Sequence, residues 1–115
     1  MQVTDITTVL DREQLRDVTL NDEDLMREIL AALIDDTSRQ ILLMDSAIRE
    51  ENSQKCMRLA HYSKGACANV GANAAATLFK QIEQDAVKSQ FVSCRQSLAA
   101  LGHEVELLRT EASEL

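Results

Sequence analysis

The sequence has no proline and only three glycines in 115 residues. Nothing in it breaks a helix outright, and few positions can adopt the left-handed backbone of a tight turn. Aromatic residues are equally scarce, with two phenylalanines, one tyrosine and no tryptophan. The core must therefore come from Leu, Ile, Val, Met and Ala, with Phe79 and Phe91 as its large members. Such a composition, rich in Ala, Leu, Glu, Gln and Arg, reads as all-helical. The three cysteines, at 56, 67 and 94, include no Cys-x-x-Cys pair, and their odd number argues against a disulfide framework. They read as reduced thiols in or beside the core.

Long apolar runs are missing too. The longest, Ile29 to Ile34, is six residues, far short of the roughly 20 that span a bilayer. Met1-Gln2-Val3-Thr4-Asp5 lacks the basic start and apolar stretch of a signal peptide. The expectation is a cytoplasmic protein with no membrane partner. At 12.8 kDa the chain reads as one domain over 1–115, large enough to bury roughly 65% of its unfolded surface.

Basic residues are in deficit, with a net charge of −7 that disfavours nucleic acid as a partner. The deficit is uneven. Between Glu51 and Glu83 there is no acid, yet Lys55, Arg58, Lys64 and Lys80 all fall there. That segment is a +4 island on a remainder of −11, and it reads as a dock for an acidic surface.

Taken in order, Asp11 can cap a short helix carrying Leu15 and Val18, which ends before Asn21. Asn21 reads as the next cap, followed by acids where a helix N-terminus favours them. A long helix over about 22–49 follows, with Leu25, Ile29 and Leu33 at steps of four, a stripe that Leu30 and Ile34 widen, then Ile41, Met44 and Ile48. The polar insert Asp35-Asp36-Thr37-Ser38 could kink it or divide it in two; without Gly or Pro, the unbroken helix is preferred. Asn52 or Ser53 caps a third helix that Gly71 closes. A fourth runs over about 73–88, with Ala75, Leu78, Phe79, Ile82 and Ala86 on one side. The last, about 90–112, has the cleanest period: Phe91, Cys94, Leu98, Leu101, Val105, Leu108. Gly102 inside it suggests close packing. The expected architecture is an antiparallel up-down four-helix bundle with a short extra N-terminal helix.

The third helix carries the chemistry. At 100° per residue, His61, Lys64, Gly65 and Ala68 share one face. Leu59, Ala66 and Val70 form the opposite one, with Tyr62 and Ser63 at the flanks. His61 thus points to solvent beside a cation, over ground that Gly65 and Ala68 leave low. Imidazole offers a nitrogen nucleophile at neutral pH. A solvated imidazole with a clear approach path and Lys64 as a positive neighbour suits a group that accepts and surrenders an anion. His103 falls on the outer side of the last helix and reads as a surface residue. Cys56 and His61, five apart, share no helical face, which disfavours zinc. No Gly-rich phosphate loop is present.

The stretch His61-Tyr62-Ser63-Lys64-Gly65-Ala66-Cys67-Ala68-Asn69-Val70-Gly71-Ala72 resembles the signature of the histidine-containing phosphotransfer (HPt) domain. That pattern is His-x-x-Lys-Gly-Ser/Ala, with a second Gly six residues after the first. His61, Lys64, Gly65, Ala66, Asn69, Gly71 and Ala72 all stand in register. Ser63 replaces a frequent Leu and Ala66 a frequent Ser, and neither change removes a group the transfer needs.

The resemblance implies a phosphorelay shuttle that carries phosphate on His61 Nε2. Lys64 would stabilise the phosphoryl charge and Gly65 would give steric access, with Arg58, Lys55 and Ala68 in the docking face. The implied partners are response-regulator receiver domains, with a hybrid histidine kinase as a further candidate. No cofactor or metal is expected on this chain, and Mg²⁺ is expected on the receiver. The chain would be a monomeric phosphocarrier without kinase activity: it has no nucleotide-binding segment, and Tyr62 stands where histidine kinases commonly carry an acid. The alternative is a helical adaptor that docks on a receiver or kinase without carrying phosphate.

Overall fold

The computed structural model describes residues 8–115. The first seven residues, with the Met1–Asp5 stretch and the start of the expected 1–115 domain, lie outside the described part. Within it are five helices and no strand: α1 Arg12–Val18, α2 Glu23–Arg49, α3 Ser53–Val70, α4 Asn73–Val87 and α5 Phe91–Ser113.

Local chemistry sets the ends of these helices. The side chains of Asp11, Asp22 and Asn52 each accept from the backbone N–H three residues on, at 3.1 Å, so each meets one of the unpaired donors of a helix start. The cap of α2 is Asp22 and not the expected Asn21. Asn21 instead lies in the preceding turn at φ +64°, a left-handed conformation that Asn tolerates better than most residues. Gly71 ends α3 at φ +89°.

α2 runs through its polar insert without a break. Thr37 is buried there, and Ser38 Oγ returns a hydrogen bond to the Ile34 carbonyl at 2.8 Å. Thr37 meets the Cys67 thiol of α3 and Asp36 the Tyr62 hydroxyl, so the insert is partnered without a turn. The buried stripe of α2 is Met26, Leu30, Leu33, Ile34, Thr37, Met44, Ala47 and Ile48. Of the expected series, Leu30, Leu33, Ile34, Met44 and Ile48 lie in it, while Leu25 is exposed and Ile29 and Ile41 are half-buried. Steps of exactly four residues advance about 400°, so such a series winds off any fixed face by about 40° per step. α5 mixes steps of three and four, and its stripe from Cys94 to Leu108 is buried as expected. Gly102, by contrast, is exposed, and a methyl group there would meet nothing within 4 Å. It marks no close packing.

The four long helices pack in a ring, α2 against α3 and α5, and α4 against α3 and α5. Phe79, Leu30, Met44, Ile48, Ile82, Leu101 and Leu108 fill the centre and are fully buried. All three cysteines are buried free thiols. Burial pushes the Cys67 thiol up to about 11 and that of Cys94 up to about 12, so both stay protonated and unreactive. The segment before α1 is tied to the α3–α4 turn by Asp11 N–H to Gly71 O (2.8 Å) and by Ala74 N–H to Thr8 O (2.9 Å). Arg12 bridges to Glu111 and Glu114 at the end of α5. Among the described residues no helix is long and apolar enough to cross a membrane.

Candidate functional site

α3 turns one narrow face inward. Cys56, Ala60, Ser63 and Cys67 are buried, while Leu59, Ala66 and Val70 are only half-buried. The expected inner face is thus rotated. The side chains that enter the core are small ones, and Ser63 is among them, not at a flank. Small inner residues let α3 lie close to its neighbours, as Ala74 and Ala75 do from the α4 side.

The opposite face is open. Arg58, His61, Gly65 and Ala68 follow one another along it at steps of three and four, all exposed. The His61 side chain keeps 69% of its accessible surface. A Cβ at Gly65 would meet nothing within 4 Å, so the ground beside the imidazole is bare. The site is a convex ridge and not a cleft. Lys55, a turn and a half before His61, is half-buried, and the Ala68 carbonyl already accepts from Gln14 Nε2 of α1 at 2.7 Å.

One residue of the site went unread in the sequence. α4 doubles back along α3, and Glu83 places its carboxylate between His61 and Lys64. Its Oε2 lies 2.6 Å from His61 Nδ1, and its Oε1 accepts from Lys64 Nζ at 2.7 Å. Only 19% of the Glu83 side chain is exposed, against 31% for Lys64. The Lys64 ammonium above all holds the Glu83 carboxyl below its ordinary value; burial opposes it, and His61 adds a lesser lowering. Glu83 is therefore a carboxylate at neutral pH.

This changes the charge reading. The acid-free segment is basic along the chain but not in space, because the glutamate at its far end folds back onto its central lysine. The Lys64 ammonium is tethered, not mobile. Among the described residues Lys55, Arg58 and Lys80 form no ion pair, so the positive surface is carried by them. A signal for Glu83 did exist. With the α3–α4 turn at Gly71–Ala72, residues equidistant from it face each other, and 61 and 83 are nearly so.

Tyr62 lies outside the ridge, over the groove between α2 and α3. It is exposed there, and the neighbouring Asp36 carboxylate raises its phenol above the ordinary value. Ile29, Leu33, Arg39 and Val70 line the same groove. His103 is exposed on α5.

Comparison with known proteins agrees with this geometry. No curated protein sequence matches the chain. Two solved structures share its fold. Histidine-containing phosphotransfer protein B (HptB) from Pseudomonas aeruginosa superposes with a TM-score of 0.84 at 21% identity, over 92% of each chain. A putative histidine-containing phosphotransfer protein from rice does so with a TM-score of 0.81 at 22% identity, over 92% of this chain and 78% of its own. The family model for the Hpt domain matches residues 28–114, which hold α3, α4, α5 and most of α2. By that match the chain belongs to the Hpt domain family.

Proposed function

We propose that this protein is a histidine phosphotransfer protein of a two-component phosphorelay. It takes a phosphoryl group from the aspartate of one receiver domain onto His61 and passes it to another. The observation that carries the proposal is the ridge itself: an imidazole 69% exposed, bare ground at Gly65, and an ammonium one turn away.

In the step, the Nε2 lone pair of His61 forms a bond to phosphorus. The bond from phosphorus to the receiver's carboxylate oxygen breaks, and its electron pair leaves with that carboxylate. Lys64 acts on the charge spreading over the phosphoryl oxygens. Its ammonium has three N–H donors, and one is engaged by Glu83, so two remain for the phosphoryl group. Gly65 lets the receiver's surface reach the imidazole where any side chain would stand in the way. Arg58 and Lys55 would meet the acidic pocket of a receiver, with Ala68 at the edge of the contact. Mg²⁺ belongs to the receiver, where it neutralises the aspartyl phosphate.

The reading treats 1–115 as one domain whose four long helices run up and down antiparallel, with α1 as an extra helix closing one end. It is a monomeric cytoplasmic shuttle that borrows its rate enhancement from its partners. The test is incubation with phosphorylated receiver domains. An acid-labile, base-stable label should appear on the wild type and be lost in His61→Gln, with helicity and Tm kept. Label that persists in that variant, or moves to His103, overturns the assignment.

A further inference from the structure

The side of the bundle away from His61 holds features that phosphotransfer leaves unused. α2 and α5 pack side by side, while His61 stands where α3 meets α4, across the ring. Along the α2–α5 seam one groove is lined by Ile41, Leu42, Asp45, Arg95, Leu98 and Ala99. A second, further along, is lined in part by Ala31, Asp35, Arg109 and Ser113. Gly102 lies between them on α5, three residues after Ala99 and seven before Arg109, and so on the same flank. We propose that two copies of this chain pair along the seam, about a two-fold axis parallel to it. This goes beyond the phosphotransfer reading and does not rest on it.

Shape gives the first reason. Leu42 is 71% exposed in the middle of α2, at the edge of the seam. Ala99 and Gly102 are exposed too, and they leave α5 low at that height. A Cβ at Gly102 would meet nothing within 4 Å. Nothing within the chain therefore calls for a glycine there, where a helix interior disfavours it. The projecting leucine and the low ground suit each other, but on one copy they lie side by side. A second copy brings them together.

Charge fixes the axis. The α2 wall offers Asp45 and Asp35, and the α5 wall offers Arg95 and Arg109, one acid and one base at each end. They do not pair across the seam within the chain. Asp45 is bridged to Arg49, and Arg109 to Glu106, each on its own helix. Among the described residues Asp35 and Arg95 are in no ion pair. Arg27, the base on the α2 wall, is held by Asp24. Turning a copy about an axis along the seam keeps every height and exchanges the walls. Asp45 then faces Arg95 of the second copy, Asp35 faces Arg109, and Leu42 sits over Ala99 and Gly102. An axis across the seam would set Asp45 against Asp35 and Arg95 against Arg109, and such like-charge contacts repel. The apolar strip is narrow between its charged walls, which puts the contact among weak interfaces. The protein is then monomeric when dilute and paired when concentrated, and each copy keeps its own His61 ridge facing out.

Sedimentation of the whole chain from about 10 μM to about 1 mM should show monomer passing to dimer, the range of a weak contact. The dimer should fade as salt rises. Arg95→Asp and Asp45→Arg should each stay monomeric across that range with helicity and Tm kept, since each sets like charges face to face. Mixed in equal amounts, the two variants should pair again, because every facing pair between them then joins opposite charges. Gly102→Gln fills the low ground and should weaken pairing by about tenfold or more.

Wild type that remains monomeric at about 1 mM overturns the proposal and leaves the seam to a partner of another kind. So does a dimer that either charge reversal leaves intact, or a mixture that fails to pair. If Asp45→Arg does not fold, Arg95→Asp and Gly102→Gln still decide it, since both must weaken pairing. Labelling of His61 by a phosphorylated receiver should match the wild type in all these variants. Failure of the phosphotransfer reading shows as a missing label, and failure of the pairing as a missing dimer.

Discussion

Two glycines six residues apart, one inside α3 and one just past its end, do opposite work. At Gly71 the backbone turns to φ +89°, and a Cβ would stand 2.8 Å from the Asp11 carbonyl oxygen and 3.1 Å from the Asp11 Cβ. That glycine lets the chain fold back and lets the segment before α1 fasten onto the turn through Asp11 N–H to Gly71 O. At Gly65 the backbone is ordinary helix and the surroundings are empty. A mid-helix glycine costs about 1 kcal/mol against alanine. With no contact to require it, its reason lies outside the fold, in what must come close to His61. One glycine is explained by this molecule and the other by its partner.

Substitution separates the two most sharply at Gly71. Gly71→Ala forces a side chain into a left-handed position and against backbone atoms that cannot yield. The expected loss is about 2–3 kcal/mol, a fall in Tm of roughly 10 °C or more for a domain of this size. Labelling of His61 should survive in the cold, where the variant is still folded. Gly65→Gln should do the reverse, melting within a few degrees of the wild type while losing most transfer from a receiver. A thermal melt and a transfer assay on both variants check the contrast. If Gly65→Gln unfolds the domain, the open ground beside His61 is not open.

Between these extremes stands Lys64, which serves both the site and, through Glu83, the packing of α3 on α4. Lys64→Ala should slow transfer by about tenfold to a hundredfold, equivalent to about 1–3 kcal/mol of lost charge stabilisation in the transition state. Its stability should change by less than about 1 kcal/mol, as for other partly exposed ion pairs. An unchanged transfer rate would leave Lys64 as a tether for Glu83 alone. Arg58→Glu should act more weakly and differently. As an exposed charge without an ion-pair partner, it affects the encounter with an acidic receiver. Its effect should be several-fold at low salt and fade as ionic strength rises.

What could be read from the sequence was what neighbouring residues decide among themselves. Asp11, Asn52 and Gly71 act within three or four residues of their own positions, and each does in the structure what local chemistry asked of it. The α5 stripe was legible because its spacing follows the helix period. The α2 stripe was legible from Leu30 onward but misjudged at its start, because Leu25, Met26, Ile29 and Leu30 are all apolar, and only contact with α3 and α5 chooses among them. Glu83 was missed for a stronger form of the same reason. It reaches His61 across 22 residues of sequence, and along the chain it appeared only as the boundary of a basic segment. His61, Lys64 and Gly65 stood out because they lie within two turns of one helix. Their acidic partner came from the next helix, so the electrostatics of the site could not be read from α3.

The smallest expected effect concerns the same carboxylate and has a definite sign. The folded state holds Glu83 below the ordinary glutamate value of 4.5, chiefly through Lys64. A group whose folded value is depressed contributes stability that is fully present above its unfolded value. The contribution is lost as pH falls through the folded value, because the unfolded chain then binds the proton more readily. Wild type and Lys64→Ala should therefore differ most in stability near neutral pH, by under about 1 kcal/mol, and converge as the solution is acidified below about pH 4.5. Gly65→Ala gives the control. It leaves Glu83 and Lys64 in place, should raise stability by up to about 1 kcal/mol, and should keep that gain at every pH where the domain is folded. Urea melts of the three proteins at neutral pH and near pH 4 read both trends at once. A gap between wild type and Lys64→Ala that stays constant on acidification would mean that Lys64 stabilises the fold by packing its aliphatic stem, and not through the charge on Glu83.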